Sequence, residues 1–233
     1  MTEELFRDDA YLRECSATVV ALTDAGVVLD RTVFYPEGGG QPGDRGELRG
    51  DDGRACSVVD TRKDEAGRLV HCLGEGDTAP AVGSRVTAGI DWDYRYRHMR
   101  THTCLHLLCA LVPHAVTGGA ISQDKGRLDF DMAETLDKAA LEDALNALVA
   151  ADHAVAYRWI SDAEMAANRD LVRTMSVAPP QGQGRVRLVA VEGVDLQPCG
   201  GTHVARTGEI GPVRIGKVEK KGRQNRRINV HLA

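Results

Sequence analysis

The chain has 233 residues, of which 42% are hydrophobic and 27% charged, so it can build a core and is not disordered throughout. With 29 Lys and Arg against 34 Asp and Glu, the formal net charge of −5 argues at first against a nucleic-acid partner. No apolar run approaches the roughly 20 residues of a membrane span, and the acidic first residues lack the apolar region of a secretory signal. These features predict a cytoplasmic protein with no membrane partner.

The first part of the chain reads as short strands separated by turns rich in glycine and aspartate. The predicted strands are Cys15–Leu22, Val27–Tyr35, Ala55–Asp60, Leu69–Leu73 and Arg85–Ile90. No segment of helical length and periodicity occurs among them. This spacing predicts a small closed or nearly closed sheet.

After Asp91 the pattern mixes helices with strands. Apolar residues at helical spacing predict helices over Tyr94–Leu111 and Glu134–His153. A capping box formed by Ser161 and Glu164 predicts a third helix that runs to about residue 175. Alternating segments predict strands at Arg185–Glu192, Val213–Glu219 and Arg227–Leu232. The fold class is therefore predicted as α+β, with a first domain at residues 1–90 and a second at residues 91–233.

A histidine pair on the first predicted helix is a candidate metal site. His102 and His106 are four residues apart, so their imidazoles leave the same helix face, although such a pair alone is a weak signal. No glutamate follows His102, which removes the general base of an H-E-x-x-H protease. Far along the chain, Cys199-Gly-Gly-Thr-His203 supplies a thiolate and an imidazole on a tight turn. The two segments together could close a tetrahedral zinc site.

The ligand set remains ambiguous at this point, because His98 lies four residues before His102 on the same helix face. Three histidines in such a row span about 12 Å, too far for one ion, so either His98 or His106 must be excluded. Spacing does not decide between them. Cys109 is expected to be a core or neighbouring residue rather than a ligand.

A glycine-rich segment, Phe34–Gly46, follows a predicted strand and contains three consecutive glycines. Exposed backbone N–H groups in such a loop can approach a ligand closely. The segment lacks the Gly-Lys-Ser/Thr of a P-loop and the spacing of a dinucleotide fingerprint. From composition alone, a tight hairpin loop is the better explanation.

Taken together, these segments resemble the AlaX family, free-standing relatives of the editing domain of alanyl-tRNA synthetase. The matching stretches are Phe34–Gly46, Asp91–Trp92, His98–Leu108, Gln197–Val204, Thr207–Gly211 and Lys221–Ile228. Their order and separation make the set specific, and the resemblance runs from about Ala17 to Val230. The length suggests the medium-length AlaX-M type, without an aminoacylation domain.

The resemblance implies a β-barrel followed by a zinc-binding α+β editing domain like the second additional domain of threonyl- and alanyl-tRNA synthetases. It implies one Zn²⁺ per chain, held by His102, His106, Cys199 and His203, with His98 left out. The implied reaction is hydrolysis of tRNA(Ala) that carries serine, with glycine as a second candidate, and no general base is assigned. The implied substrate-binding residues are Thr32, which would read the seryl hydroxyl, and Gly38, Gly39, Gly40, Gln41 and Asp44.

The net charge conceals a split that favours an RNA partner. Residues 1–90 hold 10 Lys and Arg against 17 Asp and Glu, a net charge of −7, whereas residues 91–233 hold 19 against 17, a net charge of +2. The predicted contacts with tRNA phosphates are Arg95, Arg97, Arg100, Lys217, Lys220, Lys221 and Arg223. We expect a monomer or a weak dimer.

Three alternatives remain open. The first is a zinc-stabilised tRNA-binding module without turnover. The second is a zinc-dependent hydrolase of small esters or amides that needs no RNA. The third is the same chemistry on threonyl-tRNA.

Overall fold

The computed structural model describes residues 2–168, 171–172 and 184–233, which form two compact units divided between Tyr96 and Arg97. The strands of the first unit are Glu3–Glu4 (β1), Glu14–Thr23 (β2), Gly26–Leu29 (β3), Arg31–Thr32 (β4), Gly46–Gly50 (β5), Ala55–Lys63 (β6), Leu69–Leu73 (β7) and Arg85–Ile90 (β8). Helix α1, Trp92–Leu111, contains the point of division. The second unit continues with Val116–Ile121 (β9), Lys125–Asp131 (β10), Lys138–Ala150 (α2), Val155–Ser161 (β11), Asp162–Ala167 (α3), Arg185–Val191 (β12), Asp195–Pro198 (β13), Val213–Lys220 (β14) and Asn225–Leu232 (β15).

The first unit is built on a six-stranded barrel, which confirms the predicted closed sheet. The strands follow the order β2-β3-β7-β6-β5-β8, and β8 pairs with β2 to close the ring. Side chains alternate across a strand, so every second residue faces the interior. The buried interior includes Val27, Leu29, Leu48 and Val86. A closed ring of strands leaves no unpaired edge, which suits strands as short as these.

One strand of the barrel is divided where a single strand was predicted, and another strand was not predicted. The predicted strand Val27–Tyr35 is divided at Asp30, whose carboxylate accepts hydrogen bonds from the backbone N–H groups of Thr18 (2.7 Å) and Arg31 (2.9 Å). The sequence analysis missed β5, a short strand with a glycine at each end. The carbonyl of Gly89 lies 2.1 Å from where a Cβ on Gly46 would be, so only glycine fits this close strand pairing.

The second unit contains a four-stranded sheet, β14-β15-β10-β9, and a three-stranded sheet, β11-β12-β13. Helix α1 lies close to β10. A Cβ added at Gly126 of β10 would be only 2.9 Å from Thr101 Cγ2 and 3.0 Å from Leu105 Cδ2 on the helix. Helix α2 is tied to β14 by Asn146, whose side chain accepts from the Val213 N–H and donates to the Val213 carbonyl. Strands β9, β10, β11 and β13 were missed because glycines and charged residues interrupt their apolar pattern.

The helix boundaries follow from local capping. Helix α2 begins later than predicted because the Asp137 carboxylate accepts from the Ala140 N–H (3.1 Å) and caps the helix there. The capping box of Ser161 and Glu164 is present and opens α3. Helix α3 ends at Ala167, earlier than the predicted end near residue 175, because the backbone of Asn168 leaves the helical conformation. Among the described helices, none combines the length and the apolar character needed to cross a membrane.

His71 is a fully buried histidine of the barrel and is held in one orientation. Its Nδ1 lies 3.1 Å from the Val27 carbonyl and its Nε2 lies 2.8 Å from Thr32 Oγ1. A carbonyl only accepts, so Nδ1 carries the proton and Nε2 accepts from the Thr32 hydroxyl. Burial lowers the pKa of His71 to about 4, against the hydrogen bond to Val27 that raises it, so the ring is neutral.

The buried neutral His71 makes the barrel acid-sensitive. In the unfolded chain this imidazole binds a proton below its ordinary pKa of 6.5, but in the folded chain it does so only near pH 4. Stability is therefore lost as pH falls from about 6.5 towards 4, and the loss from this group between pH 7 and 5 is about 2 kcal/mol. His71→Gln should show correspondingly less loss, measured by hydrogen exchange of the barrel strands. Parallel pH profiles for the two proteins would contradict this account.

Candidate metal centre

The histidine pair of α1 lies on one buried face of the helix. His102 is 8% exposed and His106 is 6% exposed, and their ring centroids are 5.3 Å apart. This separation follows from residues one helical turn apart, whose side chains point the same way. A single helix therefore places two nitrogen donors beside each other.

The turn after β13 brings two more donors to this face. Cys199 Sγ lies 3.5 Å from His102 Nε2 and 3.3 Å from His203 Nε2. The His203 ring centroid is 4.2 Å from that of His102 and 4.5 Å from that of His106. One possible ligand atom from each of the four residues lies within 4.8 Å of the others. His98, although buried, is outside this group of four.

The spacing of these atoms fits a zinc ion. Zinc bonds to sulfur at about 2.3 Å and to imidazole nitrogen at about 2.0–2.1 Å, so a tetrahedral centre separates sulfur from nitrogen by about 3.5 Å. The two Cys199–histidine distances of 3.3 and 3.5 Å match this value. One thiolate and three imidazoles are also a donor set that zinc accepts. The residues present therefore fit a tetrahedral zinc centre.

Side chains outside the group of four contact the Nδ1 atoms of two imidazoles, those of His203 and His106. The Thr103 hydroxyl donates to the Met99 carbonyl (3.0 Å), so its oxygen accepts from His203 Nδ1 (3.1 Å) and leaves Nε2 free to bind. His106 Nδ1 lies 3.3 Å from Asp195 Oδ2, and Gln197 Nε2 donates to the same oxygen at 2.7 Å. The hydrogen bond with Thr103 fixes the tautomer and the ring direction of His203, whereas the contact of His106 with Asp195 is a charge pair without hydrogen-bond geometry.

The charge state of the cluster favours metal binding at Cys199 and His203 and opposes it at His106. Burial alone would raise the pKa of the Cys199 thiol, but His102 and His203 outweigh burial and hold that pKa well below its ordinary value. Burial, together with His102, holds the pKa of His203 well below its usual range, so that ring is neutral. Burial opposes a charge on His106, yet Asp195 and Cys199 raise its pKa to about 9. A metal entering the site would therefore displace a proton from His106.

Comparison with known proteins decides the family. The chain is 39% identical to the alanyl-tRNA editing protein AlaX-M of Methanosarcina acetivorans, over 98% of each chain. It is 34% identical to AlaX-M of Pyrococcus horikoshii, over 100% of this chain and 98% of that protein. The chain belongs to the AlaX family of alanyl-tRNA editing proteins.

Two further comparisons place the parts of this AlaX chain. Residues 186–229 match the threonyl and alanyl tRNA synthetase second additional domain, and residues 6–94 match the class II (A) tRNA synthetases. The alanine–tRNA ligase of Pyrobaculum calidifontis is 37% identical over 94% of this chain, which covers 25% of that ligase. The AlaX chain therefore corresponds to a part of the ligase.

Arg95, expected from the AlaX resemblance and local charge to contact tRNA, has a structural role instead. It is fully buried, and Nε lies 3.0 Å from both carboxylate oxygens of Asp44, which also pairs with Nη2. Nη1 donates to the Ala10 carbonyl (2.8 Å) and Nη2 to the Val33 carbonyl (2.6 Å). The guanidinium cannot reach a phosphate, so the assignment of Arg95 to tRNA binding is wrong.

Two of the predicted substrate-binding residues, Asp44 and Thr32, also make hydrogen bonds to other residues of the first unit. Asp44 accepts from the Tyr35 N–H (2.6 Å) in addition to Arg95. Thr32 is fully buried and its hydroxyl oxygen accepts from the Phe34 N–H (3.0 Å) while bonding to His71.

The consecutive glycines form a tight turn of this first unit. Gly38 and Gln41 exchange backbone hydrogen bonds of 3.0 Å in both directions. Gly39 and Gly40, at φ values of 59° and 83°, lie between them and are exposed. Positive φ at both central residues is typical of a type I′ hairpin turn and explains why glycine stands at both. Gln41 itself is buried.

The remaining basic residues lie in the second unit. Lys217, Lys220, Lys221 and Arg223 are exposed on the β14–β15 hairpin. Lys217 and Lys221 both pair with Glu219, at 3.8 and 3.0 Å. On α1, Arg97 is exposed and pairs with Asp124 (3.3 Å), whereas Arg100 donates to the Ile210 carbonyl (2.7 Å). The hairpin is therefore the most exposed of these basic groups.

The residues that support the ligands were not identified from the sequence. Thr103 directly follows His102 on the same helix, and Asp195 lies four residues before Cys199. The sequence analysis assigned no role to either residue. Arg187 and Tyr157 lie in strands and contact the Cys199–His203 turn. Nothing in an alternating strand pattern distinguishes an arginine that faces solvent from one that faces a metal turn.

Removal of a ligand should empty the centre. We expect Cys199→Ala and His102→Ala to bind much less zinc than the wild-type protein, because each variant loses one of the four donors that would hold the ion. Cys104→Ala is the matched control, since burial raises the pKa of this fully buried thiol to about 12 and makes it a poor ligand. Elemental analysis gives the metal content per chain. Equal zinc in wild type and both ligand variants would refute the assignment.

Proposed function

We propose that this protein is a trans-editing hydrolase that cleaves the ester bond of tRNA(Ala) carrying serine, with glycyl-tRNA(Ala) as a second substrate. The observation that carries the proposal is the convergence of His102, His106, Cys199 and His203 within 4.8 Å. In sequence these residues lie in two of the segments that resemble the AlaX family, His98–Leu108 and Gln197–Val204. The similarity to AlaX-M proteins over nearly their full length supports the same conclusion.

The metal that we propose for this centre is zinc. A zinc ion bound here would supply a fixed positive charge that polarises or orients the ester. The protein's own contribution is to hold four donors in place, with Thr103 fixing the ring of His203 and Asp195 pairing with His106. Four protein donors fill a tetrahedral shell, which favours orientation of the substrate over generation of the attacking water. We therefore assign no general base.

Thr32 is the residue that we propose distinguishes serine from alanine. Its hydroxyl proton is donated to His71 and its oxygen accepts from the Phe34 N–H, so one lone pair remains. Thr32 is fully buried in this structure, so a seryl hydroxyl would reach that lone pair only if the side chains around Thr32 move when the substrate binds. Alanine offers no such donor. A buried polar group that is paired only with the correct substrate can discriminate strongly. Gln41 and Gly38–Gly40 remain proposed as substrate-binding residues.

For the tRNA we propose a contact at the β14–β15 hairpin, with Arg97 and Arg100 as further contacts. The exposed cations of the hairpin are Lys217, Lys220, Lys221 and Arg223. Lysine and arginine contacts with phosphates supply most of the sequence-independent affinity for nucleic acids. The acidic total charge of the chain does not oppose this, because the negative excess belongs to residues 1–90.

A deacylation assay tests the proposed reaction. The protein is incubated with tRNA(Ala) charged with serine, glycine or alanine, with and without a metal chelator. We expect rapid loss of serine, slow loss of alanine, and loss of activity in the chelator and in Cys199→Ala. Thr32→Val should lower the ratio of the serine rate to the alanine rate, because the acceptor for the seryl hydroxyl is gone.

The same assay separates the alternatives. Binding of tRNA(Ala) without turnover would support a non-catalytic module. Equal cleavage of seryl esters that lack the tRNA body would support a small-ester hydrolase. Preference for seryl-tRNA(Thr) over seryl-tRNA(Ala) would support the threonyl assignment. Any of these results would overturn the proposed function.

Charge reversal at the hairpin tests the RNA contact. We expect Lys220→Glu with Lys221→Glu to raise the KM for charged tRNA and to flatten its dependence on salt, because fewer counterions are released on binding. The control makes the same net charge change at exposed residues elsewhere, Arg54→Glu with Lys138→Glu, and should change KM little. An unchanged KM at low salt in the hairpin variant would exclude this contact.

A further inference from the structure

The turn that carries Cys199 and His203 has to be held by other parts of the chain. It contains Gly200 and Gly201, and glycine loses more backbone freedom on ordering than any other residue. Helix α1 fixes its two histidines by its own backbone hydrogen bonds, whereas within the turn the Gly201 N–H donates to the Cys199 sulfur (3.4 Å), a weak acceptor. Left to itself, it would have to be ordered by the metal, and the cost would weaken binding.

Arg187 of β12 supports the first half of this turn from both its backbone and its side chain. Its carbonyl accepts from the Cys199 N–H at 3.1 Å, and its Nε donates to the Cys199 carbonyl at 3.0 Å. The guanidinium also donates to the Gly201 carbonyl. A ligand residue and the second glycine are thereby held by one side chain.

Arg187 is itself fixed in place. It is 4% exposed, on the central strand of the β11-β12-β13 sheet. Its Cζ lies 4.2 Å from the ring centroid of Tyr157 on β11, a cation–π geometry. The Tyr157 hydroxyl in turn accepts from the His203 N–H at 3.3 Å. The arginine and the tyrosine beneath it therefore bind the backbone at positions 199, 201 and 203.

The chemistry of the site calls for arginine at this position. Its planar guanidinium presents several N–H groups in a fixed array, so it can serve two carbonyls at once, whereas a lysine ammonium is a single flexible centre. A buried cation is costly unless its donors are used. Here the donors are used on the backbone of the metal-binding turn.

We propose that Arg187 is a positioning residue of the metal centre, which orders the Cys199–His203 turn so that both ligands stand in binding positions before the metal arrives. The inference rests on the proposed metal centre and adds the residue that prepares it. Arg187 touches no substrate in this role and acts through Cys199 and Gly201.

Metal affinity measured without any activity assay tests this proposal. Zinc affinity is determined by competition with a chromophoric chelator, and Co²⁺ spectra report the tetrahedral geometry and the thiolate bond. Arg187→Met leaves two carbonyls without donors, and we expect it to lower zinc affinity by about 10- to 100-fold. Arg187→Lys should recover part of this loss, since one donor can still reach one carbonyl.

Arg185→Met is the matched control. Arg185 lies on the same strand with its Cζ 4.3 Å from the Trp159 ring centroid, and it is exposed. Arg185→Met removes the same charge and the same kind of aromatic stacking as Arg187→Met, and it should keep the wild-type zinc affinity. Tyr157→Phe keeps the ring but removes the acceptor for the His203 N–H, and we expect a smaller loss. If Arg187→Met does not fold, the zinc affinity of Tyr157→Phe tests the positioning role instead.

The outcomes separate this inference from the proposed function. Wild-type affinity in folded Arg187→Met, or in both Arg187→Lys and Tyr157→Phe, would overturn the positioning role and leave the deacylase proposal intact. A wild-type protein that binds no metal would overturn both the metal centre and the inference. Weaker binding in the Arg187 variants but not in Arg185→Met, with an altered Co²⁺ spectrum and unchanged secondary structure by circular dichroism, supports the positioning role.

Discussion

The convergence of one helix and one distant turn on a single point is the constraint on which the second unit depends. His102 and Cys199 are 97 residues apart in sequence, yet their donor atoms lie 3.5 Å apart. A helix can supply two donors at one spacing but cannot supply four around one centre, because its side chains diverge along and around the axis. The remaining two must come from a segment that folds sharply, and a glycine turn meets that need at the cost of rigidity. The β11-β12-β13 sheet restores the rigidity through Arg187 and Tyr157.

Buried polar groups play the corresponding part in the first unit. Asp44 and Arg95 form an ion pair with almost no exposure, and the pair also satisfies backbone groups of Tyr35, Ala10 and Val33. Breaking such a buried pair by removing one partner is strongly destabilising, because the other charge stays buried without compensation. The glycine-rich motif therefore combines residues that build the fold, such as Asp44 and Gly46, with residues still proposed to meet a substrate, such as Gln41.

Sequence reasoning succeeded where a short local pattern of residues determines the local structure. The closed sheet of the first unit and the opening of α3 followed from turn residues and from a capping box, although one of the six barrel strands, β5, was missed. The histidine pair on α1 and the Cys199–His203 turn were each visible, but their meeting was a tertiary event that spacing could not establish. The exclusion of His98 likewise came from the family resemblance.

The failures have a common physical cause. Strands β9 and β10 carry glycines and alternating charges, so their period was hidden although Leu128 and Phe130 are buried. Arg95 looked like part of a basic cluster, because sequence gives charge but not burial. Arg187 was passed over for the same reason. Whether an arginine meets solvent, a carboxylate or a backbone turn is decided by chain segments far away in sequence.

X-ray absorption at the zinc edge of the purified wild-type protein tests the central claim most directly. The account predicts one metal per chain with a single sulfur at about 2.3 Å and three nitrogens at about 2.0–2.1 Å. A protein without zinc, a shell of oxygens, or a shell with more than one sulfur would contradict it.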